Sequence, residues 1–147
     1  HFVHWDHEVL PPSWGRGHGS GQRHAPEQGD VGAASWPVLG AYSSRNVTVV
    51  RTHMLALQRA CVGVLVVSWY PPGVQNENGI PSDAALRMLL DATWEYGLRV
   101  ALHLEPYVGR GAVEIRRDVE YFITRYGEHP GVHRASRPAV GGSTAAA

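Results

Sequence analysis

The chain has no lysine: all thirteen of its basic residues are arginine. Thirteen acidic residues balance them, and the formal charge is zero with histidine neutral. That balance excludes a broad nucleic-acid-binding face and a polybasic membrane patch. A single cysteine, Cys61, excludes an internal disulfide and leaves the redox compartment open. No apolar run approaches the roughly 18 residues that a membrane span requires. Neither G-x-G-x-x-G nor G-x-x-x-x-G-K-[ST] occurs, so the usual phosphate-cradling loops are absent. The first residue is His1 rather than Met, and no signal-peptide pattern follows. The expectation is a segment of a longer protein, with any anchor or targeting signal N-terminal to it.

What is present suits one domain's worth of chain, 147 residues with 44% hydrophobic content. Seventeen glycines and ten prolines exceed the usual share of roughly 12%. They concentrate toward the ends. Residues 1–45 carry no sustained period of 2 or 3.6 and read as irregular loop. Residues 131–147 drift into Ala, Gly and Ser and read as a disordered low-complexity tail.

Between them, residues 46–130 alternate helical and strand patterns. Asn46 is placed to cap a helix whose inner face is Val47, Val50, Met54, Leu57 and Cys61. The run from Val62 to Ser68 is apolar, β-branched and without alternation, which predicts a strand buried on both faces. Pro71 and Pro72 end it. Ser82 is the expected N-cap of a second helix, with Leu86, Leu89, Leu90 and Thr93 inward and Gly97 closing it. Leu98 to Leu104 reads as the next strand. A third helix is predicted from Ala112 to Tyr126, with Ile115, Val119, Phe122, Ile123 and Tyr126 inward. One strand every thirty-odd residues is the βαβ period, which predicts an α/β fold with parallel strands. Aromatic residues and prolines after both strands favour a (β/α)8 barrel over a nucleotide-binding doubly wound sheet.

In either architecture, ligands sit at the C-terminal ends of the strands. Those ends carry Ser68, Trp69 and Tyr70 on one strand, and His103, Glu105 and Tyr107 on the other. His103 and Glu105 are two apart and share a face. They read either as a functional pair or as a satisfied core histidine beside a solvated loop carboxylate. Trp69 and Tyr70 read either as sugar-stacking aromatics or as core residues at the rim. His1, His4, His7, His18 and His24 match no metal-ligand spacing, so no metal is expected. Cys61 reads as an inert core residue. Asn46-Val-Thr48 is an N-glycosylation sequon.

Six segments occur in a telling order: His4-Trp5-Asp6-His7, Gly40-Ala-Tyr-Ser-Ser-Arg45, Gly63-Val-Leu-Val-Val-Ser-Trp-Tyr-Pro-Pro-Gly73, Glu77-Asn-Gly79, His103-Leu-Glu-Pro-Tyr107 and Tyr126-Gly-Glu-His-Pro130. Together they resemble glycoside hydrolase family 99, the glycoprotein endo-α-1,2-mannosidases. The resemblance covers about residues 4–130. It implies a partial (β/α)8 barrel of about two βα units and a retaining, endo-acting glycosidase. It also implies an N-glycan oligosaccharide substrate bearing glucosylated mannose, no cofactor and no metal for the chemistry. A monomer on the lumenal side of the Golgi membrane is expected, its membrane anchor in a part N-terminal to this chain. By position, Glu105 resembles a catalytic carboxylate. Tyr70 resembles the aromatic of the −2 sugar subsite, and His103 and Tyr107 resemble substrate contacts. Trp5 and His7 resemble rim residues, and Glu77, Asn78 and Gly79 part of a mobile loop over the cleft. The E-W-H-E-G motif that holds the family's principal carboxylates does not occur in this sequence. The expectation is therefore an inactive isolated chain. The alternatives are a non-catalytic carbohydrate-binding remnant and an unrelated doubly wound protein.

Overall fold

The computed structural model describes residues 35, 37–40, 42–74 and 81–135. Trp5, His7, Glu77, Asn78 and Gly79 lie outside these described residues, as does most of the N-terminal loop segment. The elements run α1 (Val47–Arg59), β1 (Val64–Trp69), α2 (Asp83–Glu95), β2 (Arg99–Leu104) and α3 (Ala112–Tyr126). β1 and β2 pair in parallel, in a register that sets Val64 opposite Arg99 and Ser68 opposite His103. The α/β class, the element order and the parallel pairing are those expected from the periodicity. On the far edge of β2, Val100 bridges in parallel to Val132. Val100 N–H donates to the Gly131 carbonyl, and His133 N–H donates to the Val100 carbonyl. Residues 131–133 therefore bridge to the sheet edge, although by composition they belong with the tail.

Among the described residues, the packing lies on one face of the sheet. Trp69, Leu86, Leu90, Val100 and Tyr126 form one buried cluster, with Val67, Leu102, Leu104, Tyr121 and Phe122 against it. Val50, Met54, Ala92 and Leu98 form a second, beneath α1 and α2. Each such buried Leu or Val contributes about 1.5–3 kcal/mol relative to exposure. The opposite face is uncovered: Val66 is 71% exposed, and Ser68 and His103 are exposed with it. This corrects the expectation of a β1 buried on both faces. Burial along β1 alternates, because the helices cover only the side bearing Leu65, Val67 and Trp69.

Four other local expectations change. Val47, expected on the inner face of α1, is exposed, and Val50 and Met54 are the buried residues of that helix. Cys61 is exposed, not on the apolar face of α1. The helix stops at Arg59, and Cys61 takes the left-handed C′ position at φ 59°. Its neighbour Val62 donates back to the Leu57 carbonyl, closing a Schellman turn. Ser82 makes no capping bond to α2, because its hydroxyl is used by Tyr70. On α3, Val119 and Ile123 are exposed, while Asp118 and Tyr126 are buried. The inward stripe is Ile115, Asp118, Phe122 and Tyr126, rotated from the predicted one by the aromatic cluster around Trp69. Asn46 does cap α1, accepting from Thr48 N–H at 3.0 Å. Gly97 ends α2 at φ 75°, the conformation for which a glycine is favoured.

Candidate active site

The C-terminal ends of β1 and β2 lie side by side. Glu105 N–H donates to the Trp69 carbonyl at 3.0 Å, one step beyond the end of β2. Pro106 has no N–H to extend that pairing. Glu105 thus starts a loop with its backbone still held by the sheet. Its side chain shares a face with His103, and Nδ1 of His103 stands 3.2 Å from Oε1 of Glu105. Protonation of the imidazole makes this contact an ion pair. The carboxylate is the more sheltered partner, 21% exposed against 63% for the imidazole. Ser68 occupies the opposing position on β1 and adds a hydroxyl to this exposed face. The arrangement offers an acceptor, a titratable donor and a hydroxyl on one surface. Such a set can bind a polyhydroxylated ligand and can move a proton.

Two clamps hold the backbone around this surface. At the end of β1, Tyr70 N–H donates to the Ser82 hydroxyl at 2.8 Å. The same hydroxyl donates to the Tyr70 carbonyl at 3.3 Å. One serine so fixes the peptide that carries Tyr70 against the start of α2. At the end of β2, the guanidinium of Arg110 donates to the Leu104 carbonyl at 3.1 Å. Gly109, at φ 85°, makes the reversal that brings Arg110 back. Glu114 then accepts from Gly111 N–H at 3.0 Å and starts α3.

The aromatic residues have separate roles. Trp69 is 2% exposed and lies in the core, not on the open face of the sheet. Its indole N–H donates to Asp83 at 3.0 Å, and its ring stacks on Tyr121. Asp83 also accepts from the hydroxyls of Tyr121, at 2.9 Å, and Tyr126, at 3.2 Å. One carboxylate therefore ties β1, α2 and α3 together. Burial is the main cause that raises the pKa of Tyr121 and Tyr126, with the Asp83 carboxylate adding to it. Tyr107 directs its hydroxyl to Asp118 on α3 at 2.5 Å. That hydrogen bond is also the largest cause of its raised pKa.

Of the residues singled out from the sequence, His103 and Glu105 are brought into contact, and the strand end leading to Tyr70 is bonded to Glu105. Ser82, Asp83 and Asp118 were missed as supports. For Asp118 a signal existed: it falls three after Ile115 and four before Phe122, on an otherwise apolar stripe. Among the described residues, no three His, Cys, Asp or Glu side chains converge as a metal site requires.

A family model described as glycosyl hydrolase family 99 matches residues 1–140. The human glycoprotein endo-alpha-1,2-mannosidase-like protein is 42% identical over 141 residues, covering 91% of this chain and 30% of that protein. The rat glycoprotein endo-alpha-1,2-mannosidase is 40% identical over 136 residues, covering 90% of this chain and 29% of that one. A solved GH99 endo-alpha-mannosidase from Bacteroides thetaiotaomicron superposes with a TM-score of 0.64 at 31% identity. That superposition covers 79% of this chain and 33% of the bacterial one. The chain thus spans about 30% of the length of the relatives it matches. With its family model matched along nearly its full length, the chain belongs to glycosyl hydrolase family 99.

Proposed function

We propose that this chain is part of a retaining endo-α-1,2-mannosidase that cleaves glucosylated mannose from N-glycans. The observation that carries the reading is the His103–Glu105 pair on the uncovered sheet face, at the strand ends where a (β/α)8 barrel builds its site. In that barrel the uncovered face is the interior, and Val66, Ser68 and His103 line its wall. Glu105 supplies a carboxylate at the reacting sugar, held by the sheet and partnered by His103. Tyr70 stacks on the neighbouring sugar, on the peptide that Ser82 clamps. Tyr107 borders the substrate with its ring, since its hydroxyl is engaged by Asp118. Retaining glycosidases use two carboxyl groups about 5–5.5 Å apart. The E-W-H-E-G motif that holds the family's principal carboxylates does not occur in this sequence, so the isolated chain binds without turning over. The protein acts as a monomer on the lumenal side of the Golgi membrane, anchored by a segment outside this chain. No helix among the described residues is long and apolar enough to cross a membrane.

A binding-only remnant would depend on aromatic faces, and the burial of Trp69 removes one of the two it would use. Both readings are tested by incubating the purified chain with a glucosyl-mannose α-1,2-mannoside. Saturation-transfer NMR should detect binding that Glu105→Gln weakens at least tenfold, with no released sugar. Sugar release by this chain alone would refute the dependence on a second carboxylate. Binding that Glu105→Gln leaves intact would refute the placement of the site.

A further inference from the structure

Asn46, Val47 and Thr48 form the Asn-x-Thr acceptor pattern, with no proline at the middle position. Such triplets recur by chance, so the informative point is how the fold uses these side chains. Asn46 precedes α1 in an extended conformation, and its Oδ1 accepts from Thr48 N–H at 3.0 Å. A cap needs only that oxygen, which Ser, Thr or Asp would supply equally well. The amide nitrogen of Asn46 and the hydroxyl of Thr48 make no bond among the described residues. The hydroxyl bond in this turn comes instead from Thr52, whose Oγ1 donates to the Thr48 carbonyl. Val47, Thr48, Arg51 and Thr52 are exposed, so no side chain walls off the amide.

From this geometry we propose that Asn46 is a glycosylation site, its amide nitrogen carrying an N-linked oligosaccharide while its oxygen keeps the helix cap. In the transfer, a bond forms between Nδ2 and the anomeric carbon of a polyprenyl-diphosphate-linked oligosaccharide. The bond from that carbon to the diphosphate oxygen breaks, and the diphosphate leaves with the electron pair. One Nδ2 proton is lost to base, and Oδ1 is untouched. The site has a defined place in the fold. Arg45 donates to the Pro81 carbonyl at 2.9 Å, pinning the start of α1 beside the start of α2. The oligosaccharide therefore stands on the rim where β1 exits to Tyr70, and it shelters the exposed Val47.

This inference rests on the lumenal location proposed above, and the test separates the two. The full chain is expressed in animal cells behind a cleavable secretory leader, which imposes lumenal delivery. Peptide-N-glycosidase should then produce one downward shift on a gel. Asn46→Asp keeps a capping oxygen but has no amide nitrogen, so it should fold and show no shift. Thr48→Val should lose the shift and Thr48→Ser should keep it. A leader-processed chain that the glycosidase does not shift overturns the site, as does a shift that persists in Asn46→Asp. A shift in this experiment, with the native protein found in the cytosol, overturns the lumenal location instead.

Discussion

The phenol of Tyr107 and the carboxylate of Asp118 meet at 2.5 Å, one from the loop after β2 and the other from the buried side of α3. Asp118 is 3% exposed, and a carboxylate so placed is strongly disfavoured without a donor. Arg117 approaches it only to 4.0 Å. Tyr107 is therefore the principal group satisfying Asp118, and the loop bearing Glu105 is fastened to the helix that follows. Two chemistries read from one motif separate here. Glu105 presents its carboxylate on the open face, while Tyr107 turns its hydroxyl into the fold.

Tyr107→Phe should lower the urea midpoint and loosen the loop, with a matching loss of hydrogen-exchange protection at Arg110 N–H. Asp118→Asn combined with it should be less damaging than the sum of the two single changes, since the pair acts as a unit. A strictly additive pair would show that the bond does not contribute.

Stability should fall at alkaline pH. Tyr107, Tyr121 and Tyr126 all have pKa values raised above the ordinary phenol value of about 10. A group raised in the folded state stabilises it while protonated. The contribution is full below about pH 10 and is lost as pH rises toward the folded values. Phenolate absorbance should show the hydroxyls of Tyr107, Tyr121 and Tyr126 titrating late, together with unfolding. These three hydroxyls titrating near the ordinary phenol value of about 10, with the fold intact, would contradict this.

Asp83→Ala removes the acceptor shared by Trp69, Tyr121 and Tyr126. Leaving buried donors unpaired should destabilise the chain by roughly 3 kcal/mol, measured by denaturant unfolding. A loss below about 1 kcal/mol, the size of one ordinary hydrogen bond, would show that water replaces the carboxylate.

Cys61→Gly should stabilise by about 1 kcal/mol, because a left-handed non-glycine residue is strained at the end of α1. Gly97 already fills the equivalent place at the end of α2. The thermal midpoint should rise, and oxidative dimers through the exposed thiol should disappear. An unchanged or lower midpoint would count against strain at this position.

Gly131→Ala should do the reverse. A Cβ there would stand 2.5 Å from the Leu90 carbonyl oxygen and 3.0 Å from Nδ1 of His129. That nitrogen accepts from Gly131 N–H, while Nε2 of the same ring lies 2.9 Å from Asp91. Crowding the contact should destabilise by roughly 1–3 kcal/mol and release the Val132 bridge, seen as faster exchange at His133 N–H.

Much of this was legible in order along the chain. Helix and strand periods are local, so α1, β1, α2, β2 and α3 follow from spacing, as do the Asn46 cap and the Gly97 stop. That His103 and Glu105 share a face follows from strand alternation, while their contact at 3.2 Å is a finding of the structure. What escaped were positions whose surroundings come from elsewhere. Cys61 continued an apolar stripe on paper, yet the helix had already ended. Ser82 had the composition of a cap, yet the Tyr70 peptide, twelve residues away in sequence, took its hydroxyl.

By itself the sequence determined the class of fold, the parallel strand order and the motifs that carry family membership, because each rests on neighbours within a few residues. Only the tertiary structure decided which face of the sheet stays open, which stripe of α3 turns inward, and where Trp69, Tyr107 and Asp83 spend their hydrogen bonds. The reason is physical: Tyr126 and Asp83 are 43 residues apart in the chain. A polar atom buried by packing bonds to whatever acceptor packing brings to it.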